Sequence, residues 1–245
     1  MAEGLVVEGL RVARGGRTVV DDVNLAVSPG QVTALLGANG AGKSSLVLGL
    51  AGVIRPLAGS VRLGPVELVG LAPHKIRAAG VAAVPEGHRI LTELNVIDNL
   101  QAAGAMLAGE DADASVEDAL DVFPELRERL EQQAGTLSGG QQQMLALAQA
   151  LVSRPSILIA DELSLGLAPV IVRRLVEALK VIVGRGTGVL LIEQFTTVAL
   201  QLATDASLME RGRISWSGTA AELQDNPDLL HQAYLAGDFH LADEA

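Results

Sequence analysis

Gly37-Ala38-Asn39-Gly40-Ala41-Gly42-Lys43-Ser44 fits the phosphate-binding pattern G-x-x-x-x-G-K-[ST] without a mismatch. Val32-Thr33-Ala34-Leu35-Leu36 before it reads as a buried strand, and Ser45-Leu46-Val47-Leu48 after it as the start of a helix. Strand, glycine loop and helix in that order separate this stretch from a glycine-rich turn with a chance lysine. Glycines let the backbone curl so that successive N–H groups face an anion. The helix that follows turns its positive end to the same place. Lys43 then supplies a point charge for the β- and γ-phosphates, and the Ser44 hydroxyl a ligand for Mg²⁺.

Working outward, Ile157-Leu158-Ile159-Ala160-Asp161-Glu162 reads as an apolar strand ending in two carboxylates. Asp161 is expected at the end of a strand running beside the phosphate-loop strand, where it holds Mg²⁺. Glu162 points to the other side and orients or deprotonates the attacking water. Between these blocks lies Thr136-Leu137-Ser138-Gly139-Gly140-Gln141, with Ser138 placed to cap a helix whose face carries Met144, Leu145, Ala148 and Leu151.

The rest of the chain alternates. Leu5–Val7, Val19-Val20, Val23–Val27, Gly59–Leu63 and Val81–Val84 are short strand candidates. Asn95 caps a helix, and an acidic, alanine-rich connector follows over Gly109–Ala114. Ser115-Val116-Glu117-Asp118 has the form of a capping box, with Val116, Ala119, Leu120 and Phe123 at helical spacing after it. A helix around Val170–Val183, a buried strand over Gly188–Ile192 and a helix around Thr196–Ala203 come next. Ser207–Met209 and Arg213–Trp216 form a hairpin about Glu210-Arg211-Gly212, and Thr219–Glu222 is a second capping box that opens a C-terminal helix. Buried strands alternating with helices imply a largely parallel sheet.

Composition sets bounds. Apolar residues make up 49% of the 245 residues and aromatic ones 2%, so the core rests on Val, Leu, Ile and Ala. The net charge of −11 disfavours a nucleic-acid backbone as partner, and also direct adhesion to anionic lipid. Without cysteine there is neither a disulfide framework nor a thiolate metal site. No charged-then-apolar leader and no apolar run of about 18 residues is seen, so a membrane role is expected to come through a partner protein.

Leu137-Ser138-Gly139-Gly140-Gln141 resembles the signature of ABC-type ATPases, and loop, signature and carboxylate strand follow that family's order over nearly the whole chain. The resemblance implies one α/β domain, a P-loop NTPase of the ABC type over 1–245. It would have a mainly parallel core sheet with an antiparallel β portion (about 1–87 and 151–245) and a helical signature subdomain (about 88–150). It also implies ATP and Mg²⁺ as cofactors, bound by Gly37, Asn39, Gly40, Gly42, Lys43, Ser44 and Ser45, with Glu162 catalytic alongside Lys43 and Gln194. Two subunits of this family dock head to tail, so Ser138, Gly139, Gly140 and Gln141 would close over the partner subunit's nucleotide. Ser45 stands in place of a common Thr.

Several positions depart from the general family pattern. Glu86 stands where a glutamine is usual, Gln194 where a switch histidine is usual and Ala168 where an aspartate is usual. Leu163 stands in place of a proline. Arg14 aligns with an aromatic residue that stacks on adenine; it either stacks there as a guanidinium or is a solvated loop arginine. Glu86 either reaches Mg²⁺ through water, meets a basic helix of a membrane subunit, or is an exposed turn carboxylate. Val84-Pro85-Glu86-Gly87, Ser164-Leu165-Gly166-Leu167-Ala168-Pro169 and Glu193-Gln194 are similar to the F-type ATPase subunits of branched-chain amino-acid importers. Ala233-Tyr234-Leu235 resembles the same branch. That branch implies a second ATPase subunit, with a heterodimer favoured, and two transmembrane permease subunits. An external solute-binding protein would engage indirectly, and the chain would sit on the cytoplasmic face of the membrane. Close relatives in the branch serve urea and short amides, and a nucleotide-binding regulator with little turnover is a further alternative. No metal-ligand spacing joins His74, His88, His231 and His240, which are expected in surface or loop positions.

Overall fold

The computed structural model describes residues 3–87, 90–105, 109–194 and 196–238. Two sheets share the work. The first is antiparallel: β1 (Leu5–Arg14) lies between β2 (Arg17–Val27) and β4 (Ala58–Leu63), and β4 pairs with the short β5 (Val66–Glu67). The candidates at Val19-Val20 and Val23–Val27 are one strand, not two. Asp22 takes a left-handed backbone (φ 60°) within it, and the register against β1 shifts at that point, which is a bulge rather than a chain break.

The second sheet has the order β10-β9-β3-β8-β7-β6. It contains β3 (Val32–Leu36), β6 (Val81–Val84), β7 (Ile157–Asp161), β8 (Gly188–Glu193) and β9 (Asp205–Glu210), all parallel. The edge strand β10 (Arg213–Thr219) is antiparallel to β9. Arg211 and Gly212 between those two strands both have positive φ (46° and 84°), the primed turn that suits a two-residue hairpin. Every residue of β3, β7 and β8 is buried, as expected for parallel strands covered on both faces. One expectation fails here: the Asp161 strand is not beside the phosphate-loop strand, because β8 lies between β7 and β3. β7 crosses over through α6 (Pro169–Gly184) to its immediate neighbour, and that neighbour takes the place against β3.

Alternate residues of the parallel strands feed two cores. Leu35, Ile157, Ile159, Leu190 and Ile192 face the antiparallel sheet and α1 (Lys43–Leu50). Leu36, Leu158, Ala160, Val189 and Leu191 face α6, α7 (Thr196–Leu202) and the helices between β6 and β7.

The regular elements described between β6 and β7 are helical: α3 (Val96–Gly104), α4 (Gly109–Val122), two short 3-10 turns and α5 (Gly139–Val152). α2 (Pro73–Ala79) precedes β6. Asn95 caps α3 as expected, its Oδ1 accepting the Asp98 N–H at 2.8 Å. Ser115 does not cap α4. The helix is already formed at Gly109, so the acidic stretch read as a connector is helical, and Ser115 lies buried in mid-helix with its hydroxyl unpartnered. The alanines and Glu110 there favour helix, and overrode a local pattern that fits equally well inside one. Val116, Ala119, Leu120 and Phe123 are all buried, as their spacing predicts. Arg174 of α6 clamps this region: it pairs with Glu125, donates to the Val122 carbonyl and stands 5.5 Å over the Phe123 ring. The capping box at Thr219 is present, but the helix it opens is short. α8 (Ala220–Gln224) stops before Pro227, which starts α9 (Pro227–Asp238). Among the described residues no helix is long and apolar enough to cross a membrane.

Candidate nucleotide site

The loop between β3 and α1 can only be built from glycine at two points. A Cβ on Gly37 would come within 2.3 Å of the Met209 carbonyl oxygen, and one on Gly42 (φ 107°) within 2.4 Å of the Val19 carbonyl oxygen. Gly42 hands over directly to α1, whose first turn has no side-chain cap, leaving the positive end of the helix for an anion. Lys43 is 4% exposed, and its Nζ donates to the loop's own carbonyls, Gly37 at 2.8 Å and Ala38 at 3.1 Å. Burial lowers its pKa, against the opposing pull of Glu162, Asp161, Glu193 and Glu86. An ammonium held by weak neutral acceptors among four carboxylates is ready to exchange them for phosphate oxygens.

Asp161 ends β7 at 2% exposure. Ser44 hydrogen-bonds its carboxylate, yet Oδ1 has no partner. Burial, and then the Glu162 charge, push its pKa up to about 6. A buried carboxylate oxygen without a donor, beside a hydroxyl, is a donor set that suits a hard divalent cation. Among the described residues no three or more His, Asp or Glu are grouped so as to hold a metal ion by themselves, so any such ion would take its remaining oxygens from phosphate and water. Glu162 follows in a left-handed conformation (φ 51°), a strained one for a non-glycine residue, while its N–H donates to the Ile192 carbonyl at 2.9 Å. The strain is held by β8, and it turns the side chain off the strand axis into the cleft.

That cleft holds about 500 Å³ and brings together Arg14, Asn39, Gly40, Gly42, Lys43, Ser44, Ser45, Glu86, Glu162 and Gln194. Arg14 is exposed at its mouth, at the end of β1. Glu86 is also exposed, and its charge reaches Asp161 and Lys43. Ser138, Gly139, Gly140 and Gln141 do not line it. They form the first turn of α5, where Ser138 and Gln141 make a reciprocal capping box. A Cβ on Gly140 would sit 2.7 Å from Ile171 Cγ2, so packing against α6 already demands a glycine there. Ser138 and Gly139 are exposed, with the helix dipole directed outward.

Two residues at the site, quoted from the sequence only as parts of branch-resembling motifs, were given no role there. Glu193, 1% exposed at the end of β8, accepts the Ser164 N–H at 3.1 Å and the Ser164 hydroxyl at 2.6 Å. Burial pushes its pKa up to about 7. It fastens the turn after Glu162 to β8; an acid closing the apolar run Val189–Ile192 was the available signal. Tyr234 of α9 donates its hydroxyl hydrogen to the Gln194 carbonyl at 3.0 Å. Leu163, in place of a proline, is buried in the core, and Ala168 leaves α6 without a side-chain cap. His74 and His231 are exposed, on α2 and α9; His88 and His240 lie outside the described residues.

A second cavity of about 420 Å³ runs between α1 and α2 on one side and α3 and α5 on the other, lined by Val47, Val53, His74, Arg77, Pro85 and Gln149 among others. It adjoins Glu86 through Pro85 and is separate from the nucleotide cleft.

A family profile described as "ABC transporter" matches residues 20–164. The chain belongs to the ABC transporter family. It is 44% identical over 216 residues to a high-affinity branched-chain amino acid transport ATP-binding protein, BraG, of Pseudomonas aeruginosa, covering 88% of this chain and 92% of that one. With a probable branched-chain amino acid transport ATP-binding protein, LivF, of Archaeoglobus fulgidus, it shares 35% identity over 85% of this chain and 89% of that one. A solved ATP-binding subunit of an ABC transporter superposes with a TM-score of 0.81 at 26% identity, covering 94% of this chain and 98% of the other. The ABC ATPase fold expected from the sequence is therefore the fold observed.

Proposed function

We propose that this ABC protein is the ATP-hydrolysing subunit that drives import of branched-chain amino acids. The observation that carries the catalytic part is the buried Asp161–Ser44 pair with its unpartnered oxygen, set in one cleft with Lys43 and Glu162. The likeness to BraG and LivF supports the cargo class.

In this reading the loop N–H groups and Lys43 bind the β- and γ-phosphates of ATP. Ser44 and Asp161 would hold Mg²⁺, with Glu86 reaching it through water; the ion, when bound, offsets phosphate charge. Glu162 takes the proton of the attacking water, and the Gln194 amide donates to the γ-phosphate. Arg14, at the mouth, stacks on the adenine. The exposed Ser138 and Gly139, with Gly140 and Gln141 behind them, act on the nucleotide of a second ATPase subunit docked head to tail, with a heterodimer favoured. The whole chain, 1–245, works as one ABC domain, with its core at about 1–87 and 151–245 and its helical arm at about 88–150. The apolar cavity next to Glu86 receives one of two transmembrane permease subunits, which hold the chain on the cytoplasmic face of the membrane. An external solute-binding protein engages only through them.

The test is MgATP turnover by the purified chain. Glu162→Gln is expected to bind nucleotide and to lose about 10²-fold or more in kcat. Equal turnover by both proteins would remove Glu162 from the mechanism. Turnover by neither, with binding intact, would favour a regulatory subunit, the reading that the departures at Leu163, Ala168 and Gln194 invite.

A further inference from the structure

We propose that Tyr234 is a positioning residue for the reaction, a C-terminal latch that sets where Gln194 and the first glycine of the phosphate loop lie. The inference rests on the reading of Gln194 as the group that meets the γ-phosphate.

β3 and β8 run parallel, and their last register partners are Leu36 and Glu193. Gly37 and Gln194 are the next residues on each chain. Beyond this point the two chains separate, one into the phosphate loop and the other towards α7. Where a parallel ladder stops, the next N–H and C=O lose their regular partners and must find others. Both find the same one. The Tyr234 hydroxyl donates to the Gln194 carbonyl at 3.0 Å, and the same phenol oxygen accepts the Gly37 N–H. A phenol is both donor and acceptor, so a single hydroxyl can take the place of the missing rung.

The consequence is geometric. On its other side Gly37 leaves no room for a side chain beside the Met209 carbonyl, and its own carbonyl accepts a hydrogen bond from the Lys43 ammonium. Gln194 sends its side chain to the cleft while its carbonyl is held from behind. Tyr234 therefore fixes the spacing between the phosphate loop and Gln194 without touching the cleft itself, whose lining does not include it. The ring comes from α9, anchored by the buried Ala233. A helix some 40 residues downstream thus reports to the γ-phosphate position, and anything that lifts α9 slackens that spacing.

Tyr234→Phe removes the hydroxyl and keeps the ring. With MgATP as the probe, kcat is expected to fall about tenfold while KM changes less than about twofold, since one hydrogen bond that orients a reacting group is lost and none that binds ATP. The melting temperature is read on the same samples, and a change too small to unfold the chain at assay temperature is expected. The decisive measurement is the double variant. In a Gln194→Ala background Tyr234→Phe should have little further effect on kcat, because the residue it positions is gone. Full additivity, or an unchanged kcat in Tyr234→Phe beside a depressed Gln194→Ala, would overturn the latch. An unchanged kcat in Gln194→Ala alone would instead overturn the reading of Gln194.

Discussion

Glu193→Gln should make the nucleotide-free protein more stable at pH 8 and flatten its response to pH. Burial raises this carboxyl from its ordinary 4.5 to about 7. Between those values the native state keeps a proton that the unfolded state has released. Its stabilising contribution is therefore complete below pH 4.5 and is lost as pH rises through 7. At about 1.4 kcal/mol per pH unit the displacement is worth about 3 kcal/mol, of which about 2.5 kcal/mol falls between pH 5 and pH 8. Glutamine fits the same contacts. Its carbonyl accepts the Ser164 N–H and its amide donates to the Ser164 hydroxyl, which is free to rotate. It cannot ionise. Asp161 contributes with the same sign, its pKa raised to about 6, but it is present in both proteins and cancels in the difference. The assay is thermal melting of both proteins at intervals from pH 5 to pH 8. Wild type should lose roughly 5–10 °C more than the variant over that range, at about 2–4 °C per kcal/mol for a chain of this size. Parallel curves would refute a buried, proton-holding Glu193.

Two further outcomes follow from the same geometry. Gln194 cannot titrate, so the pH–rate profile should lack a step from that position; Gln194→His should introduce one near about pH 6.5, read as log kcat against pH. Phe123→Ala should cost about 3–5 kcal/mol of stability by urea unfolding, because it empties a fully buried site and removes the ring under Arg174.

What was legible in the sequence was local. The phosphate loop, the two carboxylates and the caps at Asn95, Ser138 and Thr219 are short-range patterns, in which neighbouring residues satisfy one another. The strand order was not local. Nothing within Ile157–Asp161 says that Gly188–Glu193 will lie between it and β3. Ser115 shows the limit of a short pattern, since a serine followed by acids serves a helix start and a helix interior alike. The bulge at Asp22 hid a continuous strand for a related reason: the alternation breaks where the backbone turns left-handed. At the site, the cleft residues could be read but their supports could not. Glu193 with Ser164, and Tyr234 with Gln194, are contacts across 29 and 40 positions of chain that exist only once the sheet and α9 are assembled.

Uptake by living cells reads both the cargo and the need for turnover at Glu162. Cells lacking this gene would be complemented with wild type or Glu162→Gln and given labelled leucine, isoleucine, valine and urea. Restored branched-chain uptake with wild type alone is the predicted result, and equal restoration by both proteins, or restoration of urea uptake only, would contradict it.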